Sequence, residues 1–158
     1  MSVASRSADD PRRFPFPPAI PIVALLLGWG VGRLWPIDVN WPVSFRWLGW
    51  ALVITSFALA VSAVRTFRRH HTALNPRGEV TKVVASGPFC FTRNPMYLSL
   101  LILYAGGILA FRLPWAVILF VPVFLALHFG VIVPEEKYLA AEFGQAYRLY
   151  RQRVRRWL

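Results

Sequence analysis

The chain is short of acids, of cysteine and of charge altogether. Its 158 residues hold seven aspartates and glutamates against 18 lysines and arginines, and only 16% of the sequence is charged. One cysteine, Cys90, excludes an intramolecular disulfide and offers no thiolate cluster to a metal. His70 and His71 have no carboxylate or cysteine beside them, so no metal site is expected. The first apolar run ends in Arg33 and Trp35 without a small-residue cleavage site, which argues against a removed signal peptide.

What is abundant is apolar surface. Hydrophobic residues make up 56% of the chain, seven of them tryptophans, and the mean hydropathy is +0.47. A soluble domain of this size is not built so. In a soluble protein the net charge of +11 would suggest nucleic acid. Here the basic residues fall between and beyond the apolar runs, where a membrane protein meets anionic lipid, and no nucleic-acid partner is expected.

Four apolar runs follow a proline-rich leader, residues 1–18, read as flexible and cytoplasmic. The first covers residues 19–35 and carries a Gly28-x-x-x-Gly32 spacing that permits close helix approach. The second, residues 45–64, has the 20 residues that cross ~30 Å of hydrocarbon, with Trp41, Trp47 and Trp50 near its start, as at an interface. The third and fourth, residues 95–111 and 114–133, are joined only by Arg112 and Leu113, which predicts an antiparallel hairpin. Pro114 and Pro122 read as tolerated kinks.

Charge orients these runs. The connection 65–94 and the tail after Pro134 each hold six lysines and arginines, whereas the other two connections hold Arg33, Arg46 and Arg112 among them. The positive-inside bias puts both rich segments in the cytoplasm. The predicted fold is all-α and polytopic, with about four transmembrane helices and a cytoplasmic amphipathic C-terminal helix. Residues 19–64 form two N-terminal membrane helices, and residues 65–158 a core holding the hairpin and the basic tail. Residues 87–97 and Glu135-Glu136 then lie on one membrane face.

The tail repeats Phe143, Tyr147, Tyr150, Val154 and Trp157 at steps of four, three, four and three, an apolar helical stripe among arginines. Gly144 is expected to bend it. The stripe either lies on anionic headgroups or folds back over the connecting loop and closes a pocket. Two adjacent acids cannot face one way on a helix, so one of Glu135 and Glu136 points inward, where a charge needs a partner such as Arg93. His128, inside the fourth run, is a candidate substrate contact because an ionisable group in a membrane segment is costly.

Gly87-Pro88-Phe89, then Thr92-Arg93-Asn94-Pro95-Met96-Tyr97, a hairpin, Glu135-Glu136, and Phe143-Gly144-x-x-Tyr147-x-x-Tyr150 with basic residues, in this order, resemble the isoprenylcysteine carboxyl methyltransferase family. Bacterial membrane methyltransferases and phospholipid methyltransferases are its wider relatives. The resemblance implies a methyltransferase using S-adenosylmethionine in a bacterial inner membrane, acting on a lipophilic acceptor, with membrane lipids as its partners and both termini and the site cytoplasmic. By position it implies cofactor contacts at Thr81, Val83, Val84, Phe89, Asn94, Pro95, Met96, Tyr97, Glu135 and Glu136. Arg93 and Glu135 are the implied catalytic pair, with Arg93 meeting the cofactor carboxylate or Glu135. Asn94 stands where prenylcysteine enzymes have histidine, and Val131 where they have the arginine that meets the substrate carboxylate. Two other readings compete: an NADPH-dependent enzyme like the sterol reductases, which share the Arg-Asn-Pro-x-Tyr element, and a non-enzymatic membrane assembly protein.

Overall fold

A computed structural model describes residues 16–69 and 85–158. Every regular element among the described residues is helical: α1 (Ala19–Leu34), α2 (Val43–Arg69), a 3-10 turn (Gly87–Cys90), α3 (Pro95–Phe111), α4 (Pro114–Ile118), α5 (Phe120–Leu127), a π-helical turn (His128–Ile132) and α6 (Val133–Arg153). The all-α expectation holds. At 27 residues α2 is the one described helix long and apolar enough to cross a membrane, while α1 and α3 are apolar but shorter. Leu26, Trp29, Trp47, Ile54 and Phe57 stand exposed along α1 and α2, a surface suited to hydrocarbon.

The α2–α3 pair is the centre of the molecule. A side chain on Gly49 would collide with the backbone nitrogen of Ala110, and one on Gly106 would lie 2.9 Å from the Gly49 carbonyl, so glycine sets this approach. Farther along the same pair, Ser56 Oγ donates to the Ser99 carbonyl at 2.8 Å. The Gly28-x-x-x-Gly32 spacing is used at one end only. Gly28 sits against Ala116 of α4, whereas Gly32 meets Trp115 at an ordinary 3.5 Å.

Arg112 adopts a left-handed conformation (φ 54°) and turns the chain from α3 into the returning arm. That arm is held by Tyr104 Oη, which donates to the Ala116 carbonyl at 2.8 Å. Leu101, Tyr104 and Ile108 of α3 pack with Ala24, Ala116, Val123, Leu127 and Val131 in the main core. The fourth run, expected over 114–133 with a kink at Pro122, is interrupted there and again ahead of Pro134. Pro122 has no N–H for the Ile118 carbonyl, and α4 ends at Ile118. Pro134 likewise leaves the Gly130 carbonyl without its α-helical donor, and the chain widens into the π turn just before it.

Gly144 bends α6 as expected, with φ 50° and ψ −117°, a conformation essentially restricted to glycine. The tail departs from the expected helical stripe. α6 stops at Arg153 and Val154 is extended (φ −121°, ψ 131°). Tyr147, Tyr150 and Val154 therefore cluster with Leu139, Ala140 and Phe143, while Trp157 leaves that face and packs on Phe124, ring centroids 5.3 Å apart. The tail folds back over the polar turn.

Candidate functional site

The site forms where residues 86–97 meet the start of α6. Ser86 leads into the 3-10 turn, and Pro95, with no N–H to place, starts α3. Between them Thr92 and Asn94 are buried polar residues. Their donors go to the C-terminal segment: Thr92 Oγ1 and Asn94 Nδ2 bond the Arg156 carbonyl at 3.1 and 3.0 Å. Arg93 N–H bonds the Arg155 carbonyl at 3.0 Å. Tyr150 Oη donates to the Phe89 carbonyl at 2.8 Å and fastens the second half of α6 to the same turn.

Two carboxylates, one residue apart, take different partners because successive helical side chains point in different directions. Glu135 faces α3, and its Oε2 accepts from Tyr97 Oη at 2.6 Å. Glu136 faces the turn and the tail. Arg93 Nη1 lies 3.0 Å from its Oε1, and Arg156 reaches it with Nη2 at 2.7 Å and Nε at 3.1 Å. Arg93 thus pairs with Glu136 and not with Glu135, its expected protein partner. The Arg93 side chain is 9% exposed. Its contact with Glu136 is an ion pair lying off the hydrogen-bond axis, and among the described residues its Nε and Nη1 donate to no acceptor.

Burial pushes the Glu135 carboxyl above its ordinary range, and the Tyr97 hydrogen bond works against that rise. Hydrogen bonding to Glu136 holds the Arg156 guanidinium even more firmly protonated. Burial also lifts Tyr147 to about 12, with the neighbouring Arg93 opposing it. Burial raises Tyr150 as well, so neither the Tyr147 nor the Tyr150 hydroxyl is set up to ionise near neutrality.

His128 opens the π turn and closes one side. Its Nε2 lies 3.3 Å from Arg156 Nη1 and its Nδ1 3.3 Å from Trp157 Nε1, while Phe124 stacks on the ring at 5.6 Å. Val133, Glu136, Lys137, Ala140, Arg151 and Arg156 line a cleft of about 380 Å³ next to these groups.

Of the residues singled out in the sequence, Arg93, Asn94, Tyr97, Glu135, Glu136 and His128 are brought together. Pro95 is buried at the start of α3. Phe89 and Met96 sit one layer back, packed with Ala63 and Phe67, and the Phe89 ring meets Phe67 at a tilt, centroids 4.6 Å apart. Thr81, Val83 and Val84 lie outside the described residues, as do His70 and His71. Sequence reasoning placed Thr92 in the motif and Trp157 in the apolar stripe without giving either a role in the site, and it missed Arg156. Arg156 is one of several tail arginines, and no local pattern sets it apart from its neighbours.

The model of the family described as phospholipid methyltransferase matches residues 44–146, which include α2, α3, both carboxylates and the Arg93–Tyr97 stretch. An uncharacterized protein of Haemophilus influenzae is 44% identical over 69 residues, 40% of this chain and the whole of that protein. No solved structure matches. With most of its helical framework and all but the tail of its candidate site inside the matched region, the chain belongs to the phospholipid methyltransferase family, the group of membrane methyltransferases that includes the isoprenylcysteine type.

Proposed function

We propose that the protein transfers the methyl group of S-adenosylmethionine to a lipophilic, membrane-associated acceptor at the junction of residues 86–97 with Glu135 and Glu136. The observation that carries this is the pairing of Tyr97 with Glu135 and of Arg93 with Glu136 inside the segment matched to the methyltransferase family.

The residues present suit the cofactor. Among the described residues no acceptor takes the buried Arg93 Nε–H, and Nη1 is only ion-paired with Glu136, so the guanidinium keeps donors to offer a carboxylate. Glu135 carries an acceptor oxygen for an ammonium or a ribose hydroxyl and is held in place by Tyr97. When bound, the sulfonium supplies a methyl group already activated for transfer, so no protein nucleophile is required. Arg93, Asn94, Tyr97, Glu135 and Glu136 bind and orient; Pro95 fixes the start of α3, and Phe89 and Met96 support the turn from behind. The resemblance adds Thr81, Val83 and Val84 to the cofactor wall. Holding donor and acceptor in line and keeping water out is the protein's main task in such chemistry.

The acceptor reaches the site from the bilayer. α1, α2, α3 and the α4–α5 arm are read as four membrane crossings, with both termini and the site on the cytoplasmic face of a bacterial inner membrane. Residues 65–158 form the catalytic core. Val131, where prenylcysteine enzymes carry an arginine, is buried in the core and offers a substrate carboxylate no partner, so a prenylcysteine acceptor is disfavoured. His128 stands beside the site as a contact for the acceptor.

Calorimetric titration of the detergent-solubilised protein with S-adenosylhomocysteine tests this reading, with NADPH and the Glu135→Gln variant alongside. Binding of the first ligand alone, lost or weakened at least tenfold in the variant, is expected. Binding of NADPH instead would move the protein to the reductase chemistry. Silence from both in folded protein would contradict an enzymatic site here.

A further inference from the structure

We propose that the C-terminal strap, residues 154–158, is a self-seated latch: Arg156 holds the place of a ligand's ammonium group at Glu136, and the site opens by release of the strap. This rests on the methyltransferase reading above, and names a gate for the same site.

Three observations carry it. First, Glu136 has two cations, and they are unequal. Arg93 is buried beside it, whereas the Arg156 side chain is 31% exposed and makes the well-aligned hydrogen bonds. When Arg156 leaves, Glu136 still has Arg93, so its carboxylate can take an incoming ammonium group without first being stranded as a lone buried charge.

Second, the strap's seat on His128 is imperfect by chemistry alone. Guanidinium and indole nitrogens only donate, and they face both ring nitrogens at 3.3 Å. A neutral imidazole has one accepting nitrogen and a protonated one has none. At least one of the two contacts is therefore not a hydrogen bond. That weakens the strap where it closes the site.

Third, the strap is held by the turn whose Arg93 and Asn94 are expected to hold a ligand. Asn94 and Thr92 give their side-chain donors to the Arg156 carbonyl, and Arg93 gives its backbone N–H to Arg155. The strap and a ligand thus compete for one set of donors. The cleft bounded by Val133, Lys137, Ala140 and Arg151 already opens beside Arg156, and Gly144 supplies a glycine-only bend at the base of the arm that carries the strap.

The test compares wild type with Arg156→Ala and Trp157→Ala, the second leaving every ion pair of Glu136 in place. Each is titrated with S-adenosylhomocysteine, whose amino group is the competing ammonium, and amide exchange is followed at residues 154–158. Freed of a closed population, both variants should bind about fivefold tighter or more, and the ligand should speed exchange of the strap in wild type. If Arg156→Ala does not fold, Trp157→Ala and the exchange measurement decide the matter. Unchanged affinity with an unchanged strap would make the strap a bystander. Weaker binding in the variants with slower exchange on ligand addition would make it a wall of the site; either result overturns the latch while leaving the methyltransferase reading intact. No binding by any of the three folded proteins would sink both.

Discussion

Glu136 decides whether the site is a site or a stack of stranded charges. It is 5% exposed and answers two guanidinium groups. Removing one partner of a buried pair leaves the other uncompensated, so Glu136→Ala should cost about 3–5 kcal/mol of stability, read as a fall in the denaturant midpoint in detergent. Arg153→Ala, on the exposed outer side, should stay within about 0.5 kcal/mol. Glu135 gives a pH signature. Its folded carboxyl titrates above the ordinary 4.5 because it is buried. Its contribution to stability is thus full below that value and is lost as pH rises through the raised one. Glu135→Gln cannot ionise, so its stability relative to wild type should climb over the range that starts at the ordinary 4.5 and runs up through the raised folded value. A flat difference across that range would show that burial does not disfavour the Glu135 charge.

At the scale of elements, the prolines and Gly144 say most about what was legible in advance. α3 was readable to its ends, because Pro95 starts it and the apolar run stops at Arg112. The bend at Gly144 was readable too, since nothing else in the tail tolerates such a turn. The interrupted fourth run was half legible: Pro122 was read as a kink, whereas the π turn ahead of Pro134 was not foreseen, because periodicity reports which face is apolar and not whether Gly130 keeps its hydrogen-bond donor. That the tail folds back over the loop was one of two readings, but its extended end was hidden: spacing that fits a helix through Trp157 also fits a helix to Arg153 followed by an extended segment. Pairing of the two polar patches was foreseen from topology. Which carboxylate Arg93 meets was not, because a shift of one residue on α6 changes the direction by about 100°. Gly144→Ala should cost about 1–3 kcal/mol and expose the arm beyond it to protease at lower temperature than in wild type. A variant as resistant as the parent would mean that the bend does not position the strap.

The whole molecule is an apolar helical body with its polar machinery gathered at one end. The α2–α3 pair, closed by Gly49 and Gly106, sets the distance between the described N-terminal helices and the site. Orientation in the membrane has a built-in reporter, because Cys90 is the sole cysteine and is exposed beside the site. On the proposed cytoplasmic placement of the site, a membrane-impermeant maleimide should label Cys90 in inverted membrane vesicles and spare it in intact spheroplasts. The reverse pattern would place the site on the outer face. Arg93, Glu135 and Glu136 would then face away from the cytoplasmic supply of S-adenosylmethionine.

Transfer itself is the most direct measurement. The protein, reconstituted in vesicles containing lipid extract from the cell of origin, is given S-adenosylmethionine labelled in its methyl group, and the organic-soluble fraction is counted. Label should enter that fraction with wild-type protein and fall at least tenfold with Glu135→Gln. Folded, S-adenosylhomocysteine-binding protein that moves no label into any lipophilic fraction would contradict the proposal that this site methylates an acceptor drawn from the membrane.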